Sequence, residues 1–113
     1  MYEYWGRIKR VIDGDTVEAE IDLGFHVTLT VTLRLTGINA PETKGAERPR
    51  GLAATRFLDS LITDLTGGTR ELTVRTQKDV TEKYGRYLAV LMAGDVNLND
   101  RMRTDGHAVP FMV

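Results

Sequence analysis

The sequence predicts a small domain of the α+β class that is mainly β with helices. Three observations lead to this prediction: apolar and polar residues alternate through much of the first half, apolar residues recur at helical spacing in the middle, and strand patterns return afterwards. The chain has 113 residues, of which 42% are hydrophobic and 27% are charged. This length and balance are typical of a globular protein, and we expect one domain over residues 1–113.

Three strands are predicted before residue 36. A weak pattern favours a strand over residues 4–11, and Asp13-Gly14-Asp15 then supplies turn residues. Apolar and polar residues alternate from Val17 to Leu23 and again from Val27 to Leu35, which is typical of half-buried strands. The break that begins at Gly24 predicts a hairpin connection between these two strands.

The middle of the chain changes to the period of an amphipathic helix. Its apolar face consists of Ala54, Phe57, Leu58, Leu61, Ile62 and Leu65. Pro49 lies near the first turn and Gly67-Gly68 just after the end, as is common in helices. We expect four residues of this face (Phe57, Leu58, Leu61 and Ile62) to pack on a barrel face formed by Val17, Ile21, Leu29 and Val31.

Two more strands and a short helix complete the predicted order. The strands cover residues 71–75 and 87–92, and the helix covers residues 98–105, with Asn97 as its N-cap and Gly106 as its stop. Five short strands with a helix between the third and the fourth are typical of a five-stranded Greek-key barrel of the OB-fold type. Another α+β roll with the same element order is the alternative.

Composition excludes several kinds of chemistry. The chain has no cysteine, which removes disulfides, thiolate zinc sites and cysteine nucleophiles. Ser60 is its only serine and lies inside the predicted helix, which argues against a serine nucleophile. No Gly-rich phosphate loop is present. His26 and His107 are far apart in sequence, and two lone imidazoles do not form a zinc site.

Charge and hydropathy limit the possible partners. The net charge of -1 argues against a protein that coats nucleic acid, so any nucleic-acid contact should use a local cluster of cations. No apolar run approaches the ~20 residues of a membrane span, and no membrane partner is expected. The start of the chain lacks the pattern of a signal peptide. We expect a cytoplasmic monomer, or a secreted protein whose signal peptide has been removed.

Three segments combine charged residues with residues that interrupt strands: two hold oxygen ligands, and the third, a predicted loop that ends at Arg86, holds cations. In the first, Asp13 and Asp15 flank a glycine, which fits an ordinary hairpin turn or an oxygen-rich site for Ca²⁺ or Mg²⁺. In the second, Asn39, the Ala40 carbonyl and Glu42 lie around a strand end, because the intervening proline cannot donate to a ladder. Each of these segments is also compatible with an ordinary charged loop.

The cations come from two places. Arg34 falls on the polar face of the third strand, where a single arginine is usually solvated, and Lys83, Tyr84 and Arg86 belong to a predicted loop. Arginine presents a planar fork that matches phosphate oxygens. A carboxylate metal site, two arginines and a further carboxylate are together what phosphodiester hydrolysis requires.

Four stretches of the chain resemble the staphylococcal nuclease (thermonuclease) family, in the same order and with similar gaps. They are Val11-Ile12-Asp13-Gly14-Asp15-Thr16, Leu33-Arg34-Leu35 with Pro41-Glu42-Thr43, Lys83-Tyr84-Gly85-Arg86 with Leu88-Ala89, and Asn99 through Gly106 to Ala108. The resemblance covers nearly the whole chain. It implies an OB-fold barrel with Ca²⁺-dependent phosphodiesterase activity on DNA and RNA.

The resemblance also implies roles for individual residues. Asp15, Asn39 and the Ala40 carbonyl occupy the positions of Ca²⁺ ligands, and Asp13 lies nearby, where it contacts a ligand or acts through water. Glu42 corresponds to the residue that orients or activates water. Arg34 and Arg86 correspond to the pair that binds the scissile phosphate and stabilises its transition state, while Lys83 and Tyr84 resemble groups at a terminal phosphate and nucleotide.

Two departures from the family pattern affect these expectations. Asn39 replaces an acidic ligand, so weaker metal binding is expected even though an amide oxygen can coordinate Ca²⁺. The sequence stops at Phe111-Met112-Val113, where the best-known member continues into a third helix, and we do not expect base stacking by this region. The prediction is a metal-dependent nuclease with little base specificity. The alternative is a weak or inactive OB-fold module that binds nucleic acid or protein.

Overall fold

The computed structural model describes residues 2–81 and 84–112. Their regular elements, in chain order, are β1 (Tyr2–Asp13), β2 (Thr16–Asp22), β3 (Thr28–Leu35), β4 (Ile38–Asn39), a 3₁₀ turn (Gly45–Glu47), α1 (Arg48–Leu65), β5 (Glu71–Thr81), β6 (Tyr87–Ala93), β7 (Val96–Asn97), α2 (Leu98–Thr104) and β8 (Val109–Pro110).

Five of these strands form a closed barrel with the topology that the sequence predicts. The strands lie in the order β3-β2-β1-β5-β6, and each neighbouring pair is antiparallel. A short parallel pairing closes the barrel, from Leu33 opposite Tyr87 to Leu35 opposite Ala89. This is an OB-fold α+β architecture, with α1 inserted between the third and fourth barrel strands.

Two barrel strands are longer than their sequence patterns suggest. The strand predicted over 4–11 extends from Tyr2 to Asp13, and the one predicted over 71–75 extends to Thr81. The two strands pair with each other from Arg7–Glu71 to Tyr2–Thr76. Backbone hydrogen bonds between strands continue where the apolar alternation has ended, so the alternation underestimates strand length.

The sequence places α1 correctly but is partly wrong about its packing. Leu58 and Ile62 are fully buried, and the helix packs mainly against β1 and also against α2. Leu29 is 49% exposed and Val31 is only half-buried, which contradicts their predicted place under the helix. The reason is that β3 pairs with β6 only over its last three residues, so the rest of the β2–β3 hairpin lies beyond the closed barrel.

The last helix, α2, is capped by Asn97 as predicted. The Asp100 amide donates a 3.0 Å hydrogen bond to the Asn97 side chain, which caps the N-terminus of α2. His107, just beyond this helix, stacks on the half-buried ring of Phe57 with ring centroids 4.4 Å apart. His26 lies in the exposed β2–β3 connection. None of the helices in the described ranges is long and apolar enough to cross a membrane.

Candidate active site

A polar cleft of about 160 Å³ lies where the β1–β2 turn, the segment after β4 and the start of β6 meet. The residues that line it are Asp13, Asp15, Arg34, Asn39, Ala40, Pro41, Glu42 and Arg86. The structure therefore brings together all three catalytic candidates and all four metal-site candidates of the sequence analysis. They come from three segments that are far apart in the chain, which the closure of the barrel makes neighbours.

Asp15 is the most constrained carboxylate of the cleft. It is 7% exposed, and its two oxygens have different partners. The Thr16 hydroxyl donates to Oδ1 at 3.0 Å, and the Ala40 amide donates to Oδ2 at 2.8 Å. Arg34 Nη2 lies 3.5 Å from the same Oδ2. These contacts fix the orientation of the carboxylate and stabilise its charge.

Arg34 is buried, at 5% exposure, so the interpretation as a solvated strand arginine is wrong. Its guanidinium donates hydrogen bonds to the Leu35 carbonyl and, at 2.8 Å, to the Ile38 carbonyl. Nη2 also donates a long 3.4 Å bond to Asn39 Oδ1. The polar face of β3 is covered at this end by the chain that continues into β4. Because backbone carbonyls hold the guanidinium in place, the cation is preorganised before any ligand arrives.

Asp13 interacts with Asp15 through the turn that joins β1 to β2. Its Oδ1 accepts a 3.1 Å hydrogen bond from the Asp15 amide. Burial of the side chain raises the pKa of Asp13 to about 6, from an ordinary value of 3.8, and the hydrogen-bonded, negatively charged Asp15 side chain adds to this rise. The two carboxylates thus concentrate negative charge at one side of the cleft.

Asn39 lies at a strand end just before Pro41, as the sequence suggests. This strand is the separate β4, not the end of the third strand. The third strand ends at Leu35, and the two residues of β4 instead pair with β8, with Ile38 opposite Pro110 and Asn39 opposite Val109. Two-residue strands have no alternation that a sequence pattern could reveal. This pairing holds the segment that supplies Asn39 and the Ala40 carbonyl.

Glu42 and Arg86 complete the cleft. Glu42 is exposed and makes no hydrogen bond or ion pair with the part of the chain that the structure describes. Arg86 Nη1 donates a 3.3 Å hydrogen bond to Thr16 Oγ1, which in turn donates to Asp15. The Arg86 guanidinium also lies over the Tyr84 ring, 5.4 Å from its centroid. Tyr84 is 71% exposed, and Lys83 lies outside the described residues.

Sequence reasoning assigned no role to Thr16 or to Phe111 at this site. The Thr16 hydroxyl connects Arg86 with Asp15, and its place directly after the Asp-Gly-Asp turn is the sequence signal for it. The Phe111 ring centroid lies 6.0 Å from the Arg34 guanidinium carbon, a position that depends on the β4–β8 pairing. Thr16 thus contacts one arginine of the cleft through a hydrogen bond, and Phe111 places an aromatic ring near the other.

The metal-ligating capacity of the cleft depends on more than its acidic side chains. Within residues 2–81 and 84–112, no three Asp, Glu, His or Cys side chains converge on one point in a way that could hold a metal ion. Asp15 and Asp13 would need the Asn39 amide oxygen and the Ala40 carbonyl to complete an oxygen ligand set. All of these groups line the same cleft.

Comparisons with known proteins identify the family. A model of the staphylococcal nuclease homologue family matches residues 32–113, more than half of the chain, including Arg34, Asn39, Glu42 and Arg86. The chain is 31% identical over 104 residues to the thermonuclease of Staphylococcus intermedius, covering 89% of this chain and 56% of that protein. It is 29% identical over 117 residues to endonuclease YhcR of Bacillus subtilis (strain 168), covering 98% of this chain but 9% of that protein. The chain thus spans about half the length of the thermonuclease, and it belongs to the staphylococcal nuclease family.

Proposed function

We propose that this chain is a metal-dependent phosphodiesterase that hydrolyses DNA, RNA or both with little base specificity. The observation that carries the proposal is the meeting of Arg34, Arg86, Glu42 and Asp15 in one polar cleft. The names of two relatives, a thermonuclease and an endonuclease, support the same class of reaction.

The two arginines can stabilise the negative charge of a phosphodiester in its transition state. Attack on phosphorus increases the negative charge on the phosphoryl oxygens, and fixed cations at that point lower the barrier. Arg34 is held by hydrogen bonds to two backbone carbonyls, and Arg86 is linked to Asp15 by hydrogen bonds through the Thr16 hydroxyl. Guanidinium groups donate charge-assisted hydrogen bonds to phosphate oxygens. Little reorganisation is then needed when the charge develops.

Glu42 is suited to activate or orient the attacking water. In the described part of the chain no cation pairs with its carboxylate, and the side chain is exposed at the cleft. A carboxylate placed so can accept a proton from water as a general base. A carboxylate in a phosphate-binding cleft weakens ground-state binding by charge repulsion. Its presence is therefore understandable in an enzyme and disadvantageous in a simple binding module.

The oxygen atoms available in the cleft as metal ligands fit a hard cation. Carboxylate, amide and backbone carbonyl oxygens are what Ca²⁺ prefers, and Mg²⁺ takes the same atom type with stricter geometry. We assign Asp15, Asn39 and the Ala40 carbonyl as ligands, with Asp13 interacting nearby. When bound, the ion would supply Lewis-acid polarisation of a phosphoryl oxygen and neutralise its charge. We infer Ca²⁺ as the cofactor. Because the neutral Asn39 leaves the ligand set with less negative charge, we expect this ion to bind weakly.

Low base specificity follows from which groups line the cleft. Its cations and carboxylates are of the kind that contacts phosphate and water, and phosphate contacts carry no sequence information. Tyr84 is exposed beside Arg86 and offers an aromatic face, which stacks on any base. We propose that Tyr84 contacts the nucleotide next to the bound phosphate. The role of Lys83 at a terminal phosphate stays a prediction.

Cleavage of end-labelled single-stranded DNA and RNA oligonucleotides, with Ca²⁺, with Mg²⁺ and with chelator, tests this function. We expect Ca²⁺-dependent products from the wild type and cleavage slowed by roughly 10²–10⁴-fold, but still measurable, in Glu42→Gln. Exposed Arg56 on α1 provides a control, since Arg56→Lys should cleave like the wild type. Tight binding of the oligonucleotide without cleavage under every metal condition would instead identify a non-catalytic module.

A further inference from the structure

The backbone around Glu42 rests directly on helix α1 at Gly51. A Cβ atom added to Gly51 would lie 2.0 Å from the Glu42 carbonyl oxygen and 2.9 Å from the Thr43 Cα. Both distances are far inside van der Waals contact, and the atoms concerned are backbone rather than flexible side-chain ends. The segment that carries Glu42 can therefore approach the helix this closely only because residue 51 has no side chain.

The backbone conformation of Gly51 does not explain why glycine is present. Gly51 lies in the first turns of α1, within the regular helix, and is not among the residues with positive φ. Glycine is one of the least favourable residues in a helix. The space taken by Glu42 and Thr43 is thus the physical reason for glycine at this position.

The same face of α1 also contacts the turn that carries the aspartates. Ala54, one helical turn after Gly51, lies 2.8 Å from the place where a Cβ on Gly14 would be, and Ala40 lies 2.7 Å from that place. Gly14 separates Asp13 from Asp15. Helix α1 is accordingly the common support for the turn that carries the aspartates and for the segment that carries Glu42.

Packing, rather than hydrogen bonding, holds Glu42. The carboxylate of Asp15 has three polar partners, whereas Glu42 has none among the described residues. We propose that Gly51 is a positioning residue, which sets the distance of the Glu42 carboxylate from Asp15 and Arg34 across the cleft. This inference rests on the proposed function, in which Glu42 activates water.

Gly51→Ala tests the proposal, with Gly6→Ala as the matched control. Gly6 is a buried glycine of β1, away from the cleft, whose added Cβ would meet side-chain ends of Ile21 and Val74 at 3.2 Å and the Glu20 carbonyl oxygen at 3.3 Å, much milder contacts than those at Gly51. A displacement of about 1 Å at a reacting group can cost ~10²-fold in rate. We expect Gly51→Ala to lower kcat by about 10- to 100-fold with KM changed by less than about twofold. The kcat of Gly6→Ala should equal that of the wild type.

Combining Gly51→Ala with Glu42→Gln separates positioning from a general loss of structure. If Gly51 acts through Glu42, the double variant should be no slower than Glu42→Gln alone. An additive further loss, or a wild-type kcat in Gly51→Ala, would overturn the proposal. So would failure of Gly51→Ala to fold, since we expect the exposed segment to move and the helix to remain.

Backbone amide NMR provides a readout that does not depend on cleavage. In Gly51→Ala the amide signals of Glu42 and Thr43 should shift strongly, while in Gly6→Ala they should not. If the wild type cleaves no oligonucleotide, the proposed function fails, and these amide signals still decide whether Gly51 places the segment. Unchanged Glu42 and Thr43 signals in Gly51→Ala would overturn the inference by themselves.

Discussion

The backbone amide of Ala40 donates a 2.8 Å hydrogen bond to Asp15 Oδ2 and so joins two segments that lie 25 positions apart. Asp15 belongs to the β1–β2 turn, and Ala40 directly follows β4. A charged acceptor makes such a bond stronger than one between neutral groups. The bond brings the Asp15 carboxylate and the segment with Asn39 and Glu42 to one side of the cleft.

Asn39→Asp should tighten Ca²⁺ binding. The substitution adds a negative charge to an oxygen ligand set without changing its size, and ligand charge is one determinant of Ca²⁺ affinity. Isothermal titration calorimetry should show about a tenfold lower Kd or better for the variant. Asn97→Asp, at the N-cap of α2, is the matched control and should leave the Kd unchanged. Unchanged or weaker affinity in Asn39→Asp would remove Asn39 from the ligand set.

Arg34→Lys and Arg86→Lys should each reduce turnover more than substrate binding. Lysine keeps the charge but cannot reproduce the planar fork, and loss of one preorganised donor typically costs ~10²–10³ in rate. Steady-state kinetics on an oligonucleotide at saturating Ca²⁺ should show a lower kcat with little change in KM. A rise in KM alone would assign the two arginines to substrate binding.

Leu58→Ala should destabilise the protein by about 2–5 kcal/mol, because it leaves a cavity where a fully buried side chain packs in the core. Leu29→Ala is the matched control. That side chain is 49% exposed, so its truncation should cost less than about 1 kcal/mol. Urea denaturation of both variants measures the difference. Equal midpoints would mean that the core boundary described above is misplaced.

Asp13 should make stability fall as the pH rises. Its pKa of about 6 in the folded protein exceeds the ordinary 3.8, so the folded state holds this proton more tightly than the unfolded state does. The resulting stabilisation is complete below about pH 4 and is lost as the pH rises through 6. After allowance for solvent screening of this half-buried group, the change is on the order of 1 kcal/mol.

Asp13→Asn should remove that pH dependence. Chemical denaturation in metal-free buffer at several values between pH 4 and 7 should give a flatter stability profile for the variant, with higher stability than the wild type at pH 7. Asp95→Asn, at an exposed position between β6 and β7, serves as the control and should follow the wild-type profile. A variant profile parallel to that of the wild type would assign the dependence to another group.

The sequence alone determined the local elements and which residue types line the cleft. Helical spacing of apolar residues, with Pro49 near the first turn and Gly67 just after the end, predicted a helix that the structure places at Arg48–Leu65. The N-cap at Asn97 was equally predictable, because a cap depends on neighbouring residues only. The residues that line the cleft could be named from motifs, since residue type and spacing carry that information.

Tertiary structure decided which of these residues are buried and which of them meet. Alternation along β3 assigns residues to two faces, but it does not reveal that Arg34 is covered while Leu29 is half-exposed. That outcome depends on where β6 pairs with β3, and Arg86 reaches Thr16 only through the same closure. Such contacts join residues distant in the chain, and their geometry follows from the packing of the whole barrel rather than from any local pattern.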